Sequence, residues 1–293
     1  MKFTYTVSMV APEMLVPLAQ AAEAAGYDTI AIADSIAYPD TSDSTYPYNL
    51  DGTREFMENK VLVEPMVAIA AMAAVTSTIT FHTAVLKLPM RNPVFFAKQA
   101  TSLAVMTGNR FVLGVGSSPW PDDYDIVGLP WKGRGRRFDE CIAIVGGLAT
   151  GEYFEFHGEC YDFPAIKLLP VPSEPLPIII GGHSDANLRR AARLDGWTPA
   201  GMGPDEFTAA LTRIAELRRE YSREHEPFDI YAITLDSFSL DGVARLEEQG
   251  VTYTGGGFGR FNPYGTEPDT ETLQEKLDNL NRYADDVIQR VKG

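Results

Sequence analysis

Eight times along this chain a short apolar run is followed by a segment with helical periodicity, and that order constrains the fold more than any other feature. The clearest instance runs from Ile79 to Gly116, ITFHTAVLKLPMRNPVFFAKQATSLAVMTGNRFVLGVG. Its first apolar run is Ile79–Leu86, a turn with Pro89 and Asn92-Pro93 follows, and Val94–Met106 is amphipathic. Gly108-Asn109 then breaks the helix before a second apolar run, Phe111–Val115. Both runs are nearly continuous rather than alternating. That is the habit of strands buried on both faces, as in a parallel sheet covered by helices.

In chain order the remaining pairs are Phe3–Val7 with Glu13–Ala25, Thr29–Ala33 with Met66–Val75, Phe111–Val115 with Phe138–Leu148, and Ile178–Ile180 with Ala186–Leu194. Trp197–Ala200 with Glu206–Tyr221, Ile230–Leu235 with Gly242–Glu248, and Val251–Thr254 with Leu273–Val291 complete the set. Eight such units predict a single (β/α)8 barrel domain over residues 1–293, with a doubly wound open sheet as the alternative; the eightfold count favours closure. After the helical stretch Arg134–Leu148, the fourth of the series, GEYFEFHGECYDF alternates around Gly158 and reads as a small β-hairpin inserted into the repeat.

The formal net charge of −15 argues against nucleic acid or an anionic membrane as partner, because both would be repelled. Two cysteines, Cys141 and Cys160, no apolar run of membrane-spanning length and no signal-like start lead to the expectation of a reduced, cytoplasmic protein. The four histidines are scattered without ligand spacing to cysteine or carboxylate, so no metal site is expected. No G-x-S-x-G elbow is present, which removes the usual mark of a serine hydrolase.

In a barrel of this kind the chemistry sits where strands run into the following loops. These ends carry Asp34-Ser35, Gly116-Ser117-Ser118, Gly181-Gly182-His183, Ala200-Gly201 and Gly255-Gly256-Gly257. Asp34 reads either as a general base or as a turn cap. Gly114-Val115-Gly116 starts like a dinucleotide fingerprint but continues into Ser117-Ser118-Pro119, so a Rossmann reading fails and a backbone close to a flat ligand is the better one. In Gly181-Gly182-His183-Ser184 the serine can cap a helix and leave backbone N–H groups for a phosphate. His82, inside a strand, reads as a hydrogen-bonded barrel residue. The basic run Arg134–Glu140 reads as salt bridges at a helix start, with an anionic cofactor tail as second choice. The long polar stretch Ser35–Glu64 is the candidate lid, with Tyr38, Tyr46, Tyr48 and Phe56 as substrate contacts.

Taken together, TAVLKLPMRNPVFFAKQATSLAVMTGNRFVLGVG, AGYDTIAIADS, RGRRFDECIAIVGGL and PLPIIIGGHSDANLRRAARLDGW resemble the bacterial luciferase-like monooxygenase superfamily over nearly the whole chain. The resemblance implies a (β/α)8 barrel using coenzyme F-420 (8-hydroxy-5-deazaflavin) or reduced flavin mononucleotide (FMN), and the compact chain looks more like the deazaflavin branch. It implies that Thr83-Ala84 matches a strand-three bulge whose non-proline cis peptide backs the cofactor ring. Gly116, Ser117, Ser118, Gly181, Gly182 and His183 would lie around ring, ribityl chain and phosphate. Departures are equally specific. Deazaflavin-dependent glucose-6-phosphate dehydrogenases have histidine where Ser35 stands, glutamate where Pro119 stands and lysine where Gly203 stands, so a sugar-phosphate dehydrogenase is not expected.

The resulting expectation is an oxidoreductase moving a hydride between a deazaflavin and a small organic substrate, with Asp34, Ser35 or Tyr38 handling the proton. A reduced-FMN monooxygenase and a non-catalytic cofactor-binding barrel are the alternatives. A homodimer through the helices Met66–Val75 and Val94–Met106 is expected from the same resemblance.

Overall fold

A computed structural model describes residues 1–47, 52–257, 259 and 266–293. Eight parallel strand positions form the barrel: β1 (Lys2–Thr6), β2 (Thr29–Ile32), β3 with β4 (Thr80–Thr83 and Leu86–Lys87), β5 (Phe111–Gly116), β8 (Ile178–Gly181), β9 (Gly196–Thr198), β10 (Asp229–Ile230) and β11 (Tyr253–Gly255). The hydrogen-bonded order is β10-β9-β8-β5-β3-β2-β1-β11, with β4 continuing β3 alongside β5. The seam between β10 and β11 is closed by a parallel bridge from Tyr231 to Tyr253, with Thr252 N–H donating to Ile230 O at 3.1 Å and Ala232 N–H to Tyr253 O at 2.9 Å. The open-sheet alternative is thereby set aside. An antiparallel pair, β6 (Phe154–His157) and β7 (Asp162–Ile166), lies outside the barrel.

The helices are α1 (Leu15–Ala25), α2 (Pro65–Ala73), α3 (Pro93–Met106), α4 (Pro121–Ile126), α5 (Arg134–Leu148), α6 (Asp185–Ala191), α7 (Pro204–Glu220), α8 (Leu240–Glu248), α9 (Leu273–Tyr283) and α10 (Gln289–Lys292). Local chemistry sets their ends. Asn92 accepts from Val94 and Phe95 N–H at 3.1 and 3.2 Å while Pro93, which needs no N–H partner, opens α3. Gly26 closes α1 with φ +90.

Several boundaries shift by one to three residues from the sequence expectation, and in three places an expected element is interrupted. The third strand is interrupted after Thr83, where Ala84 and Val85 are joined by a cis peptide bond. Ile230–Leu235 is a strand only at its start, because Thr234 caps a 3-10 turn over Leu235–Phe238. The last helix is broken by a π turn at Ala284–Ile288. The short helix α4 was not anticipated.

Strand side chains divide between two packing zones. Phe3, Phe81, Phe111, Leu113 and Ile180 belong to the large core shared with the helices. Ile179, Tyr231, Tyr253 and Val112 form a separate cluster, beside which the His82 ring lies 4.6 Å from that of Tyr231. His82 is thus a barrel-interior residue, its Nδ1 3.1 Å from Thr29 Oγ1.

Two charged side chains tie up the ends opposite the loops that carry the candidate residues. The Arg110 guanidinium donates to the carbonyls of Thr107, Ile79, Ala73 and Thr76 at 2.7–3.1 Å. Glu23 of α1 accepts from the Ser77, Thr78 and Ile79 N–H groups at 2.8, 2.6 and 2.9 Å. Partial burial pushes the Glu23 carboxyl up, but these N–H donors outweigh it and bring it down to about 2. Its stabilisation is therefore complete above the unfolded value near 4.5 and is lost as pH falls through about 2. Glu23→Ala should cost roughly 1–2 kcal/mol at neutral pH, a figure discounted for exposure. In urea titrations the wild-type and variant curves should converge as the pH drops below about 4.

Candidate active site

At the loop end of the barrel the interruption after Thr83 creates a ledge. Ala84 and Val85 are half-exposed there, whereas Thr83 is fully buried, its hydroxyl donating to Gly114 O at 2.6 Å and accepting from Gly114 N–H at 3.0 Å. The ledge residue is Val85, which the sequence did not single out. A Cβ at Gly116 would come within 2.8 Å of Val85 Cγ2, and one at Gly181 within 2.7 Å. The two glycines thus let β5 and β8 close around the valine side chain.

Around that ledge the candidates fall into two groups. Half-buried Ser35, Tyr38, Ser117 and His183 line the strand ends. For the others, specific hydrogen bonds are defined. Both Asp34 oxygens are held by Arg91, at 2.7 and 3.0 Å, and Oδ2 also accepts from Lys87 N–H at 2.9 Å. So engaged, Asp34 anchors the β2 end to the turn after β4; it is not a free base. Ser118, at φ +59, donates to Asp123 Oδ2 at 2.6 Å. Gly182 carries φ +89, and its carbonyl accepts from the Trp197 indole N–H at 2.8 Å. Ser184 caps α6 by accepting from Asn187 N–H at 3.3 Å, and Asp185 in the first turn is held by Arg189 and Arg213 at 2.7 and 3.0 Å.

In the basic run at the start of α5, Arg136 pairs with Glu159, Arg137 donates to Pro130 O at 3.2 Å, and Arg134 lies 3.6 Å from the centre of the Trp131 ring. Arg190 of α6 grips Asp139 at 2.6 Å, and Glu140 accepts from Glu159, Cys160 and Tyr161 N–H at 2.9–3.1 Å. These contacts tie α5 to α6 and to the β6–β7 pair.

Side chains from the described part of the 35–64 stretch form an aromatic patch with Trp120. Tyr46 lies 5.3 Å from Phe56 and 5.4 Å from Trp120, and Tyr38, Met57, Leu62 and Met9 join them. Tyr48 lies outside the described residues. Next to this patch, buried Lys87 donates to Asp123 Oδ2 at 2.6 Å, and Arg54 of the lid pairs with Asp122 at 2.8 Å. Sequence reasoning missed all four residues, since each gains meaning from a partner distant in the chain. Among the described residues, no group of histidine, cysteine and carboxylate side chains could hold a metal ion.

With this geometry in hand, comparison with known proteins is direct. The family model described as luciferase-like monooxygenase matches residues 3–282. The chain belongs to this family. An uncharacterised protein from Mycobacterium tuberculosis is 53% identical over 291 residues, which is 99% of this chain and 100% of the relative. An F420-dependent glucose-6-phosphate dehydrogenase from Nakamurella multipartita is 31% identical over 206 residues, 68% of this chain and 56% of that enzyme. In fold, a monooxygenase from Streptomyces bottropensis superposes with a TM-score of 0.77 at 14% identity, covering 99% of this chain and 100% of the other. The luciferase-like barrel is confirmed, and the chain is an oxidoreductase or monooxygenase of this family. No helix among the described residues is long and apolar enough to cross a membrane.

His82, beneath the mouth, supplies a pH test of the barrel. Burial pushes its imidazole down to about 3. The folded barrel holds the ring neutral while the unfolded chain takes up a proton near 6.5, so stability is full above that value and falls as pH drops toward 3. The loss attributable to His82 should be about 3 kcal/mol between pH 7 and pH 4. Urea unfolding of wild type against His82→Gln, which should show a shallower pH dependence, measures it.

Proposed function

We propose that this luciferase-like enzyme transfers a hydride between coenzyme F-420 and a small organic substrate. The observation that carries this reading is the similarity to an F420-dependent dehydrogenase across 68% of the chain. The site's residues fit a flat ring. Ala84 and Val85 present an apolar, half-exposed ledge, with Gly116 and Gly181 drawn in beside it and Ser117 and His183 at its edge. When bound, a deazaflavin supplies the hydride acceptor or donor.

The chain's own residues then bind, orient and exclude water. Ala84-Val85 backs the ring, the Gly116–Ser118 and Gly181–His183 turns flank it, and the Ser35–Glu64 lid closes over the substrate. Asp34, fixed by Arg91, sets the position of its neighbour Ser35. That leaves Ser35 and Tyr38, both half-buried at the mouth, to give or take the accompanying proton. Ser35, Pro119 and Gly203 stand where the resemblance puts histidine, glutamate and lysine in the sugar-phosphate dehydrogenases, which supports a different substrate.

A reduced-FMN monooxygenase is the second reading, supported by the family description and by the fold similarity to the Streptomyces enzyme. Titrating the purified protein with each cofactor separates the two. Coenzyme F-420 should bind, and Val85→Asp should weaken that binding about tenfold or more by placing a charge on the ledge. Tight binding of FMN with none of F-420 would sink the deazaflavin reading.

We also place a second copy of the chain against the outer face of α2 and α3, where Val67, Phe95 and Met106 are 64, 77 and 78% exposed. Light scattering should give twice the chain mass for wild type and a lower mass for Phe95→Glu. A wild-type monomer at micromolar concentration would refute this placement.

A further inference from the structure

The turn that leaves β5 beside the ledge is held from behind by α4, a helix with no clear mark in the sequence. Tyr124 of α4 is fully buried, with the Trp131 ring edge-on to it at 5.1 Å, and its hydroxyl donates to the Ser117 carbonyl at 2.5 Å. Burial pushes the phenol up against the opposing pull of Arg134 and Arg137, so it keeps its proton and stays a donor at neutral pH. The preceding residue, Asp123, accepts from the Ser118 hydroxyl at 2.6 Å, and that hydroxyl accepts from Trp120 N–H at 3.1 Å. Ser118 has φ +59, a left-handed conformation that a residue with a Cβ keeps only where its surroundings enforce it. Two consecutive residues of α4 therefore fix the turn at two points, one on the backbone and one on a side chain.

Pinning a carbonyl also aims the N–H on the other side of the same peptide. Among the described residues the cis peptide bonds are Ala84-Val85 and Leu169-Pro170, so Ser117-Ser118 is trans. The Ser118 N–H is then antiparallel to the Ser117 carbonyl and points away from Tyr124. Among the described residues neither the Ser117 nor the Ser118 N–H has an acceptor, and both residues are half-buried. Neighbouring strand ends behave otherwise. The first N–H beyond β1, β3 and β8 goes to a carbonyl of the adjacent strand: Val7 to Ala31 O at 3.0 Å, Ala84 to Ile32 O at 2.7 Å and Gly182 to Thr198 O at 3.2 Å. Beyond β2, Ala33 N–H goes to Ser8 Oγ at 2.8 Å. At β5 alone among these five ends, two successive donors are held in a fixed turn and left for something else. Successive N–H groups in such a turn suit an electron-rich atom.

We propose that Tyr124 is a positioning residue, which, through the Ser117 carbonyl, aims the Ser117 and Ser118 N–H groups at an acceptor atom on the edge of the bound cofactor ring. The proposal rests on reading the Ala84-Val85 ledge as the seat of a flat ring. Flavin and deazaflavin rings both carry carbonyl oxygens, which are acceptors of the kind this turn takes. Tyr124 itself touches no ligand.

Fluorescence titrations of F-420 and of FMN against wild type and Tyr124→Phe, with urea unfolding of both proteins, test this. Phenylalanine keeps the ring against Trp131 and removes only the donor. The Kd of whichever cofactor wild type binds should rise about fivefold or more in the variant, under conditions where its unfolding curve shows it fully folded. In NMR spectra of protein labelled at its serine amides, the Ser118 amide should shift on adding cofactor to wild type and shift less in the variant, a signal that lost stability alone does not produce. Equal affinity in the two proteins, or a Ser118 amide unmoved by bound cofactor, would overturn the proposal. Should Tyr124→Phe fail to fold, the Ser118 response in wild type carries the test. Binding of FMN without F-420 removes the deazaflavin reading and leaves the positioning role to be decided with FMN, whereas binding of neither overturns both.

Discussion

The contact on which the mouth depends is that of Val85 with the two glycines facing it. A side chain at Gly116 or Gly181 would collide with the valine at 2.7–2.8 Å, so the ends of β5 and β8 can close on the ledge only because both positions lack a Cβ. With β5 drawn in, the chain leaves the strand at Ser117-Ser118 and turns so that Ser118 reaches Asp123. Asp123 in turn receives Lys87 from just beyond the ledge, at 2.6 Å. One packing contact thereby sets the ledge, the turn after β5 and the buried ion pair in register.

That register has an electrostatic consequence. Removing one member of a buried pair leaves the other charged and unsolvated, commonly at a cost of about 3–5 kcal/mol. Lys87 shows the tension directly, since burial lowers its pKa and Asp123 opposes the shift without cancelling it. The mouth is a set of paired charges held by geometry. Its capacity to recognise a ligand therefore lies in donors and apolar faces more than in free charge.

The fold was legible because its determinants are local. Continuous β-branched runs such as Ile178–Ile180, the helical periodicity of Val94–Met106 and the Gly108-Asn109 break each announce an element or its end from a few adjacent residues. Where the expectation failed, tertiary geometry overrode a local pattern: Ile230–Leu235 is apolar enough for a strand, yet Thr234 turns the chain. The site was less legible. Asp34 could be placed at a strand end, but its pairing with Arg91, 57 residues away, has no local signal. Arg54 was hidden for the same reason, being one charged residue in a polar loop until the fold sets it against Trp120.

Charge compensation also bears on what the loop end of this barrel can bind. A phosphate needs cations in excess, and a lysine at the position of Gly203 would supply one. Here that position is a glycine at the start of α7, its N–H bonded to Glu206 at 3.2 Å. The cations nearest the lid's aromatic patch are each matched by carboxylates from neighbouring segments. Coulomb attraction then gives a charged ligand little advantage, and desolvation disfavours it.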